Sequence, residues 1–460
     1  MDELLCDELL HEIFRLLPPP AAAALSLVSK RWLRLTRTSA TSLSLRFTRP
    51  TPAPPLISFL SDHPLLASLS VVSPDSSSPD PLLLAVSTAC PALTHLRLLT
   101  PPLSASSLSS LSWGCANLVC LNITVSRAFV FSCLTFFPSL KDLSVAFSGD
   151  LPPSPAGHGD CDDAQLRLES LSLSGIRSGD RNAGWLWRRC TRLKKLKLKC
   201  CEGVGDGTSF SCLDSCFPGL QQVELRTCRT IVDLLLSKLA DLCQSLNSLL
   251  VYDGGSREGL LHFITHSNCK SHLRKLDFRL PLDLDDVHLH ALAQNFIALA
   301  SLRLQSCCLV TGQGLKSLGA AMRDGLQEIA LVSCDVVERE PGLMTALGQN
   351  LNSLTTLDLS YNETLQDKEF VSMLGSCCYL SEVKLRGCRR LTNATLVSLS
   401  RSCKHLKVVD IVHCLKLDAE FVELLILNSP SMSRIMVEES KITDTAKSWM
   451  RRKSIDQVIA

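Results

Sequence analysis

The chain has 460 residues, 46% of them hydrophobic and 20% charged, with a formal net charge of +2. That length exceeds one ordinary core, so several domains or one repetitive architecture are expected. A balance this near neutral excludes bulk attraction to nucleic acid or to a membrane surface. The opening stretch Met1-Asp2-Glu3 is acidic where a secretory signal is basic. No apolar run approaches the ~18 residues of a membrane span. The expectation is a protein of the cytoplasm and/or nucleus, with neither nucleic acid nor membrane as a partner. Its 22 cysteines are then thiols rather than disulfides, and their spacing lacks the paired clusters of a zinc site.

The first element spans Leu5 to Leu17. Leu9, Leu10, Ile13, Phe14, Leu16 and Leu17 recur at the spacing of a helix with a broad buried face. Pro18, Pro19 and Pro20 stop it. "AAAALSLVSKRWLRL" then forms a second helix, with Leu25, Val28, Trp32 and Leu35 on one stripe. A helical module of about 40 residues is marginal alone and gains from docking onto something else. "TRPTPAPP", residues 48–55, joins this module to the main body of the chain or replaces that body's first outer turn. Two Pro/Ser-rich stretches, 73–81 and 148–163, read as surface loops, the second in place of most of a helix.

From residue 41 onward one phrase recurs: apolar, two variable, apolar, one variable, apolar. "LTHLRL" begins at Leu93, "LKKLKL" at Leu193, "LASLRL" at Leu299 and "LTTLDL" at Leu354. The last apolar position falls at Leu45, Val71, Leu98, Ile123, Val145, Leu173, Leu198, Leu225, Val251, Phe278, Leu304, Leu331, Leu359, Leu385, Ile411 and Val437. Alternating leucines share one face of a short strand, which cannot bury that face alone. Stacked copies can. Helical patterns such as Gln366 to Cys377 and Thr392 to Cys403 lie between the phrases. Each unit is thus one strand and one helix, and the strands form a parallel ladder.

These phrases resemble the leucine-rich repeat, in its cysteine-containing class. Cys201, Cys228, Cys307, Cys334, Cys388 and Cys414 each stand three residues after a last strand position, and "CPAL", "CANL", "CTRL", "CQSL" and "CKHL" precede strands. The cysteines therefore read as small apolar residues packed in the turns of the coil. The resemblance implies an α/β fold over 41–460, a right-handed solenoid of about 16 units of about 26 residues. Its shape would be a horseshoe with parallel strands on the concave face and helices outside. Sixteen strands at ~4.8 Å give an arc of roughly 75 Å, which suits a partner protein better than a small molecule.

The opening module, residues 1–40, resembles an F-box. It shows Leu5-Cys6-Asp7-Glu8, Ile13-Phe14 and Val28-Ser29-Lys30-Arg31-Trp32. The family pattern has proline where this chain has Cys6 and cysteine where it has Ser29. F-box followed by leucine-rich repeats is a recurrent, plant-like layout. It implies the substrate-recognition subunit of a Skp–cullin–F-box ubiquitin ligase. A Skp adaptor would bind Leu5, Cys6, Ile13, Leu16, Leu17, Val28 and Trp32, with the cullin and RING subunits attached through it. An unknown protein substrate would bind the repeats. The competing expectation is a repeat scaffold or hormone co-receptor that recruits no ligase.

No phosphate loop, zinc-protease motif, nucleophile elbow or kinase signature is present, so neither catalysis nor a cofactor is expected. "DDVHLH", Asp285 to His290, reads as a solvated polar helix face. The repeat register places Lys195, Lys197, Lys199, Arg226, Arg279, Arg303 and Arg386 on the outward strand face, around an apolar island at Leu250 and Tyr252. Such a set is a candidate substrate surface, and its basic stretch fits an acidic or phosphorylated segment or a bound polyanion.

Overall fold

The computed structural model describes residues 5–17, 24–47, 52–73, 79–149, 165–180, 182–205, 207 and 209–459. The chain forms two compact units, Met1–Cys216 and Phe217–Ala460.

The first unit begins with two helices, α1 (Asp7–Leu16) and α2 (Lys30–Ser39). The single second helix read from the sequence is broken among its described residues. Ser29 lies in extended backbone, and its hydroxyl accepts the Trp32 N–H at 3.2 Å. A good N-cap starts a new helix there whatever the apolar period on either side implies. Arg31 joins the two helices, its guanidinium donating to Asp7 at 2.6 Å and to the Leu5 carbonyl at 2.7 Å. Leu10 and Leu35 are buried, and the Phe14 and Trp32 rings lie 5.1 Å apart. Arg37 fastens α2 to the first repeat helix, Ala53–Ser61, through Asp62 at 2.7 Å and the Phe59 ring at 5.6 Å. That helix begins at Ala53, so Pro54 and Pro55 occupy its first turn, where their missing N–H groups cost nothing. Of the 48–55 segment, residues 53–55 thus open a helix, and residues 48–51 lie outside the described residues.

The first unit continues with seven parallel strands. They are β1 (Ser42–Arg46), β2 (Ser68–Val72), β3 (His95–Leu99), β4 (Cys120–Ser126), β5 (Asp142–Ser148), β6 (Ser170–Ser174) and β7 (Lys195–Lys199). The register pairs Leu45 with Val71, Val71 with Leu98, Ile123 with Val145, and Leu173 with both Val145 and Leu198. From β2 onward the inward leucines and valines are almost fully buried between the strand layer and the helices, while Leu43 and Leu45 of β1 are half-buried. Each fully buried one contributes roughly 1.5–3 kcal/mol by leaving water. Of the 73–81 loop, residues 74–78 lie outside the described residues, and Asp80 already opens a helix that runs to Ala89. Residues 150–163 of the second loop also lie outside them.

The second unit carries ten parallel strands. They are β8 (Gln222–Arg226), β9 (Ser248–Tyr252), β10 (Lys275–Arg279), β11 (Ser301–Gln305), β12 (Glu328–Val332), β13 (Thr356–Asp358), β14 (Glu382–Lys384), β15 (Val408–Asp410), β16 (Arg434–Val437) and β17 (Asp456–Ile459). Again the last apolar positions pair along the ladder, Leu225 with Val251, Val251 with Phe278, and Phe278 with Leu304. Sixteen strands were legible as phrases; β17 is a seventeenth, paired parallel to β16.

The coils from β6 to β15 turn sharply at the end of the strand. Two residues past the last inward position the backbone is left-handed at Gly175, Cys200, Thr227, Asp253, Leu280, Ser306, Ser333, Tyr361, Gly387 and His413. A side chain in that conformation costs roughly 1–2 kcal/mol, and these coils adopt it whichever residue stands there, whereas the coils of β1 to β5 lack it at that position. One residue on sits the cysteine of the repeat. Cys334, Cys388 and Cys414 donate S–H to the carbonyls of Leu304, Leu359 and Leu385, one coil back, at 3.5, 3.2 and 3.0 Å. Asn362 fills the same place and does more. Its amide donates to the Leu331 and Leu359 carbonyls at 2.8 Å, and its oxygen accepts the Cys334 N–H at 2.9 Å. Burial pushes the Cys414 and Cys403 thiols up to about 12, so both remain protonated, Cys414 as a donor within the coil.

Candidate interaction surfaces

Two surfaces emerge from this architecture. The first is on α1 and the turn before α2. Leu9, Ile13, Leu16 and Leu17 recur every three or four residues, and all are exposed, Leu16 to 85%. Leu27 and Val28 are exposed as well, to 86% and 57%. Because Leu10, Phe14, Trp32 and Leu35 supply the internal contacts, this outer set has no packing role among the described residues of the module. Of the residues expected from the sequence, Cys6, Ile13, Leu16, Leu17 and Val28 are exposed and Leu5 is half-buried. Trp32 is half-buried and held by Phe14, so its first role is packing. Leu9 and Leu27 were missed. Leu9 was detectable, since it lies one turn before Ile13, whereas the exposure of Leu27 depends on the break at Ser29.

Cys6 caps α1 with φ −70° and ψ 163°. A proline fixes φ near −65°, so the backbone here already has the form that the family's proline imposes. The substitution loses rigidity in the unfolded chain rather than shape in the folded one.

The second surface is the outward face of the strands. In the second unit, the cations counted from the sequence are matched by carboxylates. Arg226 pairs with Glu224 on its own strand, and Arg279 with Asp277 at 2.7 Å. Arg303 reaches Asp358 at 2.6 Å, two strands away, across Ala330, whose methyl group leaves the path open. Lys384 meets Glu382 at 2.6 Å, and Arg386 meets Asp410 at 2.9 Å. The Asp277 hydrogen bond raises the Arg279 guanidinium above its ordinary value. A face that reads as basic along the chain is therefore internally neutralised except at Lys275 on β10, which is exposed and meets no carboxylate among the described residues. Leu250 and Tyr252, both half-buried, lie in register between Glu224 and Asp277 and between Arg226 and Arg279.

In the first unit, Lys195, Lys197 and Lys199 are exposed at the outward positions of β7, beside Ser170, Ser172 and Ser174 of β6.

The Asp285–His290 stretch differs from expectation. His288 is fully buried; its Nδ1 faces Asp285 at 2.8 Å and its Nε2 the Arg257 carbonyl at 2.9 Å. Together Asp285 and His288 form the capping box of helix Asp286–Asn295. For His288 this is structural hydrogen bonding inside the helical layer rather than a solvated face, whereas His290 is exposed as expected. Among the described residues no group of three or more His, Cys, Asp or Glu is placed to hold a metal ion, and no helix is long and apolar enough to cross a membrane.

Residues 3–40 match the family model of the F-box domain. Among solved structures, the chain is similar to one in the crystal structure of the yeast Rad7 and Elc1 complex, at 16% identity and a TM-score of 0.49, covering 99% of this chain and 91% of that one. It is also similar to a chain of the TLR13–ssRNA13 complex, at 17% identity and a TM-score of 0.50, covering 92% of this chain and 68% of that one. The second likeness is one of fold: a long ladder of parallel strands with one strand per coil. An F-box domain at residues 3–40 is thus followed by a repeat, solenoid-like fold with one parallel strand per coil.

Proposed function

From an F-box domain that precedes a repeat solenoid, we propose that this chain is the substrate-recognition subunit of a Skp–cullin–F-box ubiquitin ligase. The observation that carries the reading is the apolar set at Leu9, Ile13, Leu16, Leu17, Leu27 and Val28, left in solvent by a module that has already filled its own core. Burying a leucine or isoleucine against a partner contributes ~1.5–3 kcal/mol, so a small helical adaptor that covers this set is held firmly. Cullin and RING subunits attach through that adaptor. The repeats hold a protein substrate, and the chain does no chemistry itself. Its contribution is to keep a substrate lysine near a ubiquitin-loaded enzyme, which replaces a bimolecular encounter by a local one.

The test is co-purification of the full chain with a Skp-type adaptor. Ile13→Asp combined with Leu16→Asp places two carboxylates where the adaptor would sit. Both positions are exposed, so the fold and melting temperature should be retained while the adaptor is lost. Undiminished adaptor binding by this variant would overturn the reading. The chain would then stand as a repeat scaffold or co-receptor.

A further inference from the structure

We infer that the partner segment held by this receptor is acidic and extended, and that it lies across the strand face of the first unit from β3 to β7. The inference rests on the reading of the chain as a substrate receptor and narrows it to one surface and one ligand chemistry. Among the described residues, Arg97 on β3 and Lys195 and Lys199 on β7 are exposed and meet no carboxylate. The outward positions of β1 to β7 hold one acid, Asp142. On the second unit's face Lys275 alone among the described outward cations is exposed without a carboxylate. Arg226, Arg279, Arg303, Lys384 and Arg386 each have a carboxylate within 4.0 Å. An acidic ligand there must displace a carboxylate for every contact it makes with them, whereas on the first unit it meets cations with charge still to neutralise.

The geometry sets the length of the ligand. Four strand spacings separate β3 from β7, roughly 19 Å, which an extended chain of about six residues spans. The residues between are short: Asn122 on β4, Ser144 and Ala146 on β5, Ser172 and Ser174 on β6. A backbone can therefore lie close to the sheet with its acidic side chains reaching the cations at either end. The alternative polyanion, a single-stranded nucleic acid, is disfavoured by composition. No Phe, Tyr or Trp occupies an outward position on β1 to β7, so bases have no ring on which to stack.

The experiment uses the full chain in complex with its adaptor. It is offered four immobilised probes: a twelve-residue peptide alternating Glu with Ala, the same with phosphoserine for Glu, the same with Lys for Glu, and a twelve-nucleotide oligothymidylate. The two acidic peptides should bind, and more weakly as salt rises. The triple variant Arg97→Glu, Lys195→Glu and Lys199→Glu should weaken that binding by about tenfold or more. The neutral triple variant to Gln should fall between it and the parent. Arg226→Ala in the second unit should change nothing. The inference is overturned if acidic peptides bind no better than the lysine peptide, if the oligothymidylate binds more tightly than either, or if the triple variant binds like the parent. It is also overturned if Arg226→Ala costs as much as the triple variant. Adaptor co-purification is read in the same samples. Its loss in Ile13→Asp with Leu16→Asp concerns the receptor reading alone, and peptide binding concerns this surface alone.

Discussion

The strand faces of the two units share one register but treat their polar side chains differently. On Phe217–Ala460 the outward cations other than Lys275 are tied to carboxylates, some on the same strand and one, Arg303 to Asp358, two strands away at 2.6 Å. On Met1–Cys216 the outward residues of β2, β5 and β6 are mostly serines, and Arg97, Lys195 and Lys199 stand without a carboxylate among the described residues. The number of lysines and arginines on a repeat face is therefore a poor measure of its charge. What matters is whether a neighbouring coil supplies the counter-ion. The second face is a closed network that stiffens its own coils, and the first is open to a partner.

The comparison breaks most sharply where the first unit does contain a buried pair. Arg127 and Asp180 are 2.6 Å apart, with side chains 5% and 1% exposed. Arg127 also donates to the Gly149 and Gly175 carbonyls at 2.8 and 3.0 Å. It thus ties together the ends of β4, β5 and β6. Arg127→Ala leaves Asp180 charged and unpaired in the interior, and a loss of about 3–5 kcal/mol is expected in denaturant unfolding. A loss under ~1 kcal/mol would show that the pair is not what holds this edge.

A smaller effect is expected on the second face. Asp358 is buried, accepts from Arg303, and also accepts the Ser360 N–H at 3.0 Å. Asp358→Ala should cost about 2 kcal/mol, less than the first case because Arg303 still reaches water. A double-mutant cycle with Arg303→Ala should return a coupling of ~1 kcal/mol or more. Additivity would mean that the face is not a network.

The smallest effect belongs to the open face. Ser144→Ala and Ser172→Ala, on adjacent strands in register, remove hydroxyls that hold nothing among the described residues. Each should leave the unfolding free energy within ~0.5 kcal/mol of the parent. A larger loss from either would mean that the first face also meets its polar needs internally.

The linear sequence already determined the ladder. A strand in a parallel stack can bury only alternate residues, so Leu45, Val71 and Leu98 had to share a face, and the observed pairs keep that register. The cysteine of each turn was legible for the same reason, since one spacing places it under the next coil. The α1 apolar set was largely legible too, because helical period separates an outer stripe from an inner one within a single element. Three features were decided only in tertiary structure. Strand β17 places Gln457 opposite Ile435, so the alternating signature is absent and the exposed edge of β16 is what recruits it. His288 is buried because the next helix layer covers it, and its ring accordingly bonds to Arg257, 31 residues earlier. The neutral second face comes from pairs such as Arg303 with Asp358, 55 residues apart in sequence. Periodicity is a local property that each coil repeats for itself, whereas charge pairing and burial belong to neighbours brought together by the stacking, and no linear count can supply them.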